Sequence, residues 1–297
     1  MVTARGHLGA QIASRLSQSP MAVCPTRGRA LLEALALEVE LVDVDPDEWV
    51  TEAERLARSG VVRIHGMLVH RGTGSAWLDA YLGVTAYDEV LSRLRTALAG
   101  DAPVVYLDVD SPGGEVAGLI DAADVIRAAR SGPKRVVSVV NELACSAAYV
   151  LAAAANWVEI PRTGEVGSVG VVQIHRDMSG HMAQAGVRVE LLHAGAKKVD
   201  GNAYEPLSAR ARADAQASVD RSYALLVESV AASRRMSPEA VRATEAGVYE
   251  GEQAVAVGFA DAIRRPSSAV PPMNSPAPAM SAFDGRRRGQ LPTRRSA

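Results

Sequence analysis

The apolar and polar positions divide the chain into three stretches. Up to residue 57 the pattern is helical: ALLEALALEVELV (30–42) returns an apolar residue every three to four positions, and DPDEW (45–49) interrupts it as a turn. From residue 60 short β-like runs alternate with helical ones. VVRIHGMLVH (61–70) is β-like, and YDEVLSRLRTALAG (87–100) sets Val90, Leu91, Leu94 and Leu98 on one helical face. PVVYLDVD (103–110) is a β run, SPGG (111–114) a turn, and EVAGLIDAADVIRAAR (115–130) a helix. RVVSVV (135–140) predicts a strand, 145–155 a helix, NWVEI (156–160) and SVGVVQI (168–174) strands, 178–185 a helix and VRVELL (187–192) a strand.

AGAKKVDGNAYEPLS (194–208) gathers glycine, asparagine and proline into a loop. Ser208 then stands as N-cap of a helix over 209–234, with Val219, Tyr223, Leu226 and Val230 on its apolar side. Strands alternating with helices predict parallel strands joined by crossover helices, an α/β fold. The division is a helical lead-in over 1–57, a main domain over 58–265, and a Pro-, Ser- and Ala-rich flexible tail over 266–297. No internal repeat is visible.

Composition narrows the classes. Hydrophobic residues make up 48% and charged residues 22%, ordinary for a soluble globular chain, and a net charge of −2 gives no global field to recruit nucleic acid or an anionic membrane. The arginine cluster RRRGQLPTRR (286–295) reads as a solvated tail. Cys24 and Cys145 form neither a disulfide framework nor a metal-ligand spacing, so no metal and no cofactor are expected. The longest apolar run (143–155) is too short and too rich in alanine to span a bilayer, and the N-terminus lacks a signal-peptide core. Of the 32 basic residues only Lys134, Lys197 and Lys198 are lysines, which makes the adjacent pair conspicuous.

Three features carry candidate chemistry. In SPGG, paired glycines between a strand and a helix let backbone amides approach a ligand, although the same residues also make a plain βα turn. Ser146, between a strand and a helix of small residues, is either an N-cap or a nucleophile whose attack creates an oxyanion beside free amides. Lys197 and Lys198 are solvated loop residues unless one is a base. A lysine base must be neutral, and at the ordinary pKa of about 10.4 only about one in a thousand is neutral near pH 7.5, so burial would have to lower it. GxSxG, GxGxxG and GxxxxGK[ST] are absent around these positions. His175 and His193 are alternative partners for Ser146, and Cys145 an alternative nucleophile, without a recognisable base motif.

In order along the chain, LDVDSPGGEVAG (107–118), ELACSAAYVLAAAA (142–155), TGEVGSVGVV (163–172), AGAKKVDGNAYEPLS (194–208) and EGEQAVAVGFADAI (250–263) resemble the signal peptide peptidase A family of serine peptidases. Within it, the lysine loop and SRLSQSPMAVCPTRGRALLEAL (14–35) are most similar to phage head-maturation proteases of the minor capsid protein C type. The resemblance implies a ClpP/crotonase-like α/β fold with repeated ββα units and a Ser-Lys dyad. Ser146 would be the nucleophile. Lys198, fourth in the G-x-x-K pattern Gly195–Lys198, would be the base, with Lys197 left as the alternative. Ser168 would orient the lysine, and the amides of Gly114 and Ala147 would form the oxyanion hole. It further implies protein substrates such as capsid scaffold, portal or coat, a homo-oligomer, no requirement for nucleic acid, no membrane anchor, and action in the host cytoplasm inside the assembling procapsid. A bacterial degradative peptidase, a silent assembly component and a crotonase-type acyl-CoA enzyme are the rival readings.

Overall fold

The computed structural model describes residues 20–24 and 55–264. The expected helical lead-in and the proline-rich tail lie, except for 20–24 and 55–57, outside the described residues. Alternation of short apolar runs and helices produces the expected α/β architecture. The strands are β1 (Met21–Val23), β2 (Val61–Val69), β3 (Val84–Ala86), β4 (Val104–Glu115), β5 (Arg135–Cys145), β6 (Trp157–Ile160), β7 (Glu165–Gly167), β8 (Val248–Glu250) and β9 (Ala262–Ile263). The helices are α1 (Ala76–Tyr81), α2 (Tyr87–Ala99), α3 (Leu119–Ala129), α4 (Ala147–Ala153), α5 (Ser179–Gln184), α6 (Ala209–Arg234), α7 (Pro238–Arg242) and α8 (Gly251–Ala256).

The sheet runs β3-β2-β4-β5-β6-β9, every neighbouring pair parallel. Parallel order demands crossovers, which α2, α3 and α4 supply, laying Val90, Leu94, Leu119, Ala122, Ile126 and all of α4 on one face against Val62, Ile64, Leu107 and Val140. The two central strands are unusually long because each serves two layers. β5 pairs β6 along Val137–Val139, then β7 along Leu143–Cys145, and β7 continues into antiparallel β8. The register between β4 and β5 shifts between Val109 and Ser111, and between β2 and β4 at His65 and Met67, where Gly66 sits at φ +70°. A Cβ on Gly66 would lie 2.1 Å from the Gly83 carbonyl oxygen, so the kink requires glycine.

Three expectations change. SPGG is not a turn: β4 runs through it to Glu115, because β2 on one side and β1 on the other both offer ladder partners there. The following helix starts only at Leu119, after Gly118 at φ +78°. SVGVVQI contributes a single bridge, Val172 to Met21, the strand lying instead at β7. VRVELL forms no strand among the described residues, with Val187, Val189 and Leu192 exposed, since a strand needs a ladder partner that is not provided here.

α4 is the most enclosed element. All seven residues are fully buried, and its alanines at both ends let β4, β5, α3 and α6 close around one helix. Tyr149 of α4 stacks on Phe259 at 4.7 Å and donates its hydroxyl to the Phe259 carbonyl at 3.0 Å. Burial pushes that phenol well up, so it stays a donor. The end of α6 is tied to the same corner. The Arg234 guanidinium, 7% exposed, donates to Gly258 O at 2.9 Å and to Asp261 Oδ2 at 2.7 Å, while Asp261 also accepts the Val158 amide at 2.9 Å. Burial is the largest single influence and works against the Arg234 charge, but the hydrogen bond to Asp261 and the Coulombic pull of Tyr149 and Asp261 together outweigh it and raise its pKa.

Arg234→Leu would leave the Asp261 carboxylate buried without its counter-charge and should lower unfolding stability by about 3–5 kcal/mol in urea titration. At the β5–α4 junction Ser146 holds φ +55° and ψ −118°, a conformation a Cβ disfavours. Ser146→Gly should therefore be more stable than Ser146→Ala by about 1 kcal/mol in the same measurement.

Candidate active site

The second halves of β4 and β5 and the start of α4 meet at one point. Ser146 follows the last residue of β5 at a positive φ, its amide donating to Gly167 O at 2.7 Å and its carbonyl accepting the Val150 amide at 3.0 Å. The chain thus turns sharply from strand to helix with Ser146 at the apex, an elbow-like geometry in which the small residues Ala144 and Ala148 stand at the two positions that GxSxG gives to glycine. The side chain is buried, and Oγ is 3.3 Å from the Gly170 carbonyl oxygen.

Gly113 and Gly114 lie against this turn. A Cβ on Gly113 (φ +104°) would stand 2.9 Å from Cys145 O and 3.0 Å from the Ala147 amide nitrogen, and one on Gly114 would stand 1.9 Å from Leu68 O. Neither position admits a side chain. As the first residue of α4, Ala147 has an amide with no helical acceptor. Ser168, in β7's continuation at φ +52°, sits beside Ser146 because Cys145 pairs Gly167, and its amide donates to Gly247 O at 2.8 Å. The structure therefore gathers Ser146, Ala147, Gly114 and Ser168.

Lys198 is not gathered. It lies on a long exposed arm (173–207) and makes no hydrogen bond or ion pair with another described side chain. Lys197 is committed elsewhere: its Nζ pairs with Asp214 Oδ2 of α6 at 2.5 Å, holding that carboxyl below its usual range. Arg210, also on α6, donates to Ala196 O at 2.6 Å and Asp200 Oδ1 at 2.7 Å, so the Ser208-capped helix anchors the lysine loop. The alternatives fare differently. The His193 ring is 3.1 Å from Gly195 O, neither it nor His175 bonds Ser146, and the Cys145 thiol is buried with Cys24 and Leu143.

Two features were not anticipated. Ser111 Oγ, fully buried, donates to Gly66 O at 2.6 Å and accepts the Gly113 amide at 3.1 Å, bracing the diglycine on the β2 kink. A buried hydroxyl two residues before a paired glycine was the available signal. The other is β1, which runs antiparallel along Gly113–Glu115 and bridges Val172 on its far side. Nothing in the periodicity of three residues could announce it. Among the described residues no helix is long and apolar enough to cross a membrane, and no group of three or more His, Cys, Asp or Glu side chains is placed to hold a metal ion.

Comparison with known proteins gives this arrangement a lineage. The head-tail preconnector protein GP5 of Enterobacteria phage P21 is 39% identical over 76% of this chain and 46% of its own. The capsid assembly protease C of Escherichia phage lambda is 34% identical over 80% of this chain and 54% of its own, and a putative protease of Methanocaldococcus jannaschii is 32% identical over 54% and 51%. The chain spans about half the length of the phage relatives it matches. Residues 128–277, half of the chain and including Ser146, Ser168 and Lys198, match the model of one peptidase family, and the chain belongs to that family, peptidase family S49.

Proposed function

We propose that the chain is a serine endopeptidase in which Ser146 is the nucleophile and Lys198 the general base. The observation that carries this is the strained, buried turn at Ser146, set against the Gly113–Gly114 backbone and the unpaired first amide of α4. Strain at a polar apex is retained where it positions a reacting group. Neutral Lys198 takes the hydroxyl proton as Oγ attacks the substrate carbonyl carbon. The amides of Gly114 and Ala147 hold the oxyanion, the lysine ammonium protonates the departing amine, and water hydrolyses the acyl-enzyme. Ser168, beside Ser146, orients the lysine. Lys198 is favoured over Lys197 because Asp214 already holds Lys197.

The lysine reaches Ser146 between copies of the chain. Its arm carries Ile174 (57% exposed), Val187 (50%) and Leu192 (96%), an apolar edge suited to a second copy. The names of the phage relatives, a capsid assembly protease and a head-tail preconnector, support capsid-shell proteins such as scaffold or portal as substrates, cut inside the assembling particle in the host cytoplasm.

Ser146→Ala and Lys198→Ala should each reduce cleavage of a co-expressed scaffold by about 10³-fold or more, while Lys197→Ala keeps most of it. An active Lys198→Ala beside an inactive Lys197→Ala would reverse the assignment of the base, and normal processing by Ser146→Ala would end the peptidase reading. Mixing the two inactive variants, Ser146→Ala and Lys198→Ala, at equal amounts should restore about a quarter of wild-type cleavage if sites form between copies, and none if each chain completes its own.

A further inference from the structure

The strand beside the diglycine is the chain's own, and its pairing is that of a peptide laid across the site. Met21 pairs with Glu115, Ala22 with Gly114 and Val23 with Gly113, antiparallel. The Cys24 amide donates to Pro112 O at 2.8 Å and the Val116 amide to Pro20 O at 3.3 Å. In an antiparallel ladder hydrogen-bonded pairs recur every second residue, so Ala22 and Gly114, midway between those two, exchange both of their bonds. The Gly114 amide therefore donates to the Ala22 carbonyl. On the opposite edge Met21 and Val172 exchange N–H···O bonds at 2.8 Å each way.

The Ala22 carbonyl also lies against Gly113. Its oxygen lies 2.2 Å from the point a Gly113 Cβ would occupy, and the Ala147 amide nitrogen lies 3.0 Å from that same point. Both amides assigned to the oxyanion hole thus neighbour one carbonyl. The side chains follow the two-residue alternation. Met21 and Val23 pack with Met67, Val69, Val84 and Ala86, while Ala22, with no exposed surface, joins the main core on the other side. An apolar–small–apolar tripeptide is what this groove accepts.

We propose that Pro20–Cys24 is a built-in substrate strand that blocks the groove until the enzyme cuts its own Ala22–Val23 peptide bond. This rests on the peptidase reading above. Ser146 Oγ adds to the Ala22 carbonyl carbon, the C–N bond to Val23 breaks, and Val23 leaves as an amine carrying the proton taken from the serine. Water then frees the Ala22 carboxylate. Strand pairing on both edges explains why Met21–Cys24, so short a segment, is buried.

The test uses the purified full-length chain, with casein as an independent substrate. Intact-mass measurement should show a species beginning at Val23 in the wild type and not in Ser146→Ala, and casein hydrolysis should begin with a lag that tracks its appearance. The synthetic peptide SQSPMAVCPTR (17–27) should be cut in trans between alanine and valine, and the same peptide carrying Ala22→Asp should resist by at least tenfold. Ser146-dependent casein cleavage at full rate from uncut protein, with the peptide left whole, would overturn this proposal while leaving the peptidase standing. Cleavage of neither casein nor strand would remove both.

Discussion

At Gly113 there is no room for a side chain, and the site is built around that absence. A Cβ there would meet Ala22 O, Cys145 O and the Ala147 amide at once, each at 3.0 Å or less. Three pieces of backbone converge where most folds would place side chains. Because the contacts are between main-chain groups, their spacing does not depend on rotamers, and the amides around Ser146 are held in place before any ligand arrives.

Holding backbone so close requires stiffness behind it. α4 is wrapped on all sides, and its alanines leave no slack for the helix to shift. Tyr149 fastens it to the Phe259 corner, and the Arg234–Asp261 pair fastens that corner to α6 and β6. From the other side Ser111 ties the diglycine to the Gly66 kink of β2. The strained φ of Ser146 survives because everything around it is already committed. The lysine arm is the opposite case, anchored at its α6 end by Arg210 and Asp214 and otherwise open to solvent.

Much of the fold was legible in the sequence because its elements satisfy themselves locally. The helices α2 and α6 came from apolar spacing and the Ser208 cap, and β5 from a valine run, each within a residue or two at one end at least. SPGG was misread as a turn because glycine pairs usually mean one, whereas here they admit two neighbouring strands at a distance no side chain allows. VRVELL had the alternation of a strand and lacked a partner in its own chain. The nucleophile candidate and its neighbours stood out through motif order, and Lys198 through its place in the loop.

By itself the sequence determined most of the stretches that are helix or strand, which serine lies between a strand and a small-residue helix, and which lysines are available. Those are properties of composition and near-neighbour spacing. Tertiary structure alone decided that Ser146 is a strained apex whose Oγ meets Gly170 O, that Asp214 claims Lys197, and that Met21–Val23 pair along Gly113–Glu115. Apart from the apex itself, each of these joins groups 17 or more residues apart in the chain, and so leaves no local periodicity by which to be read.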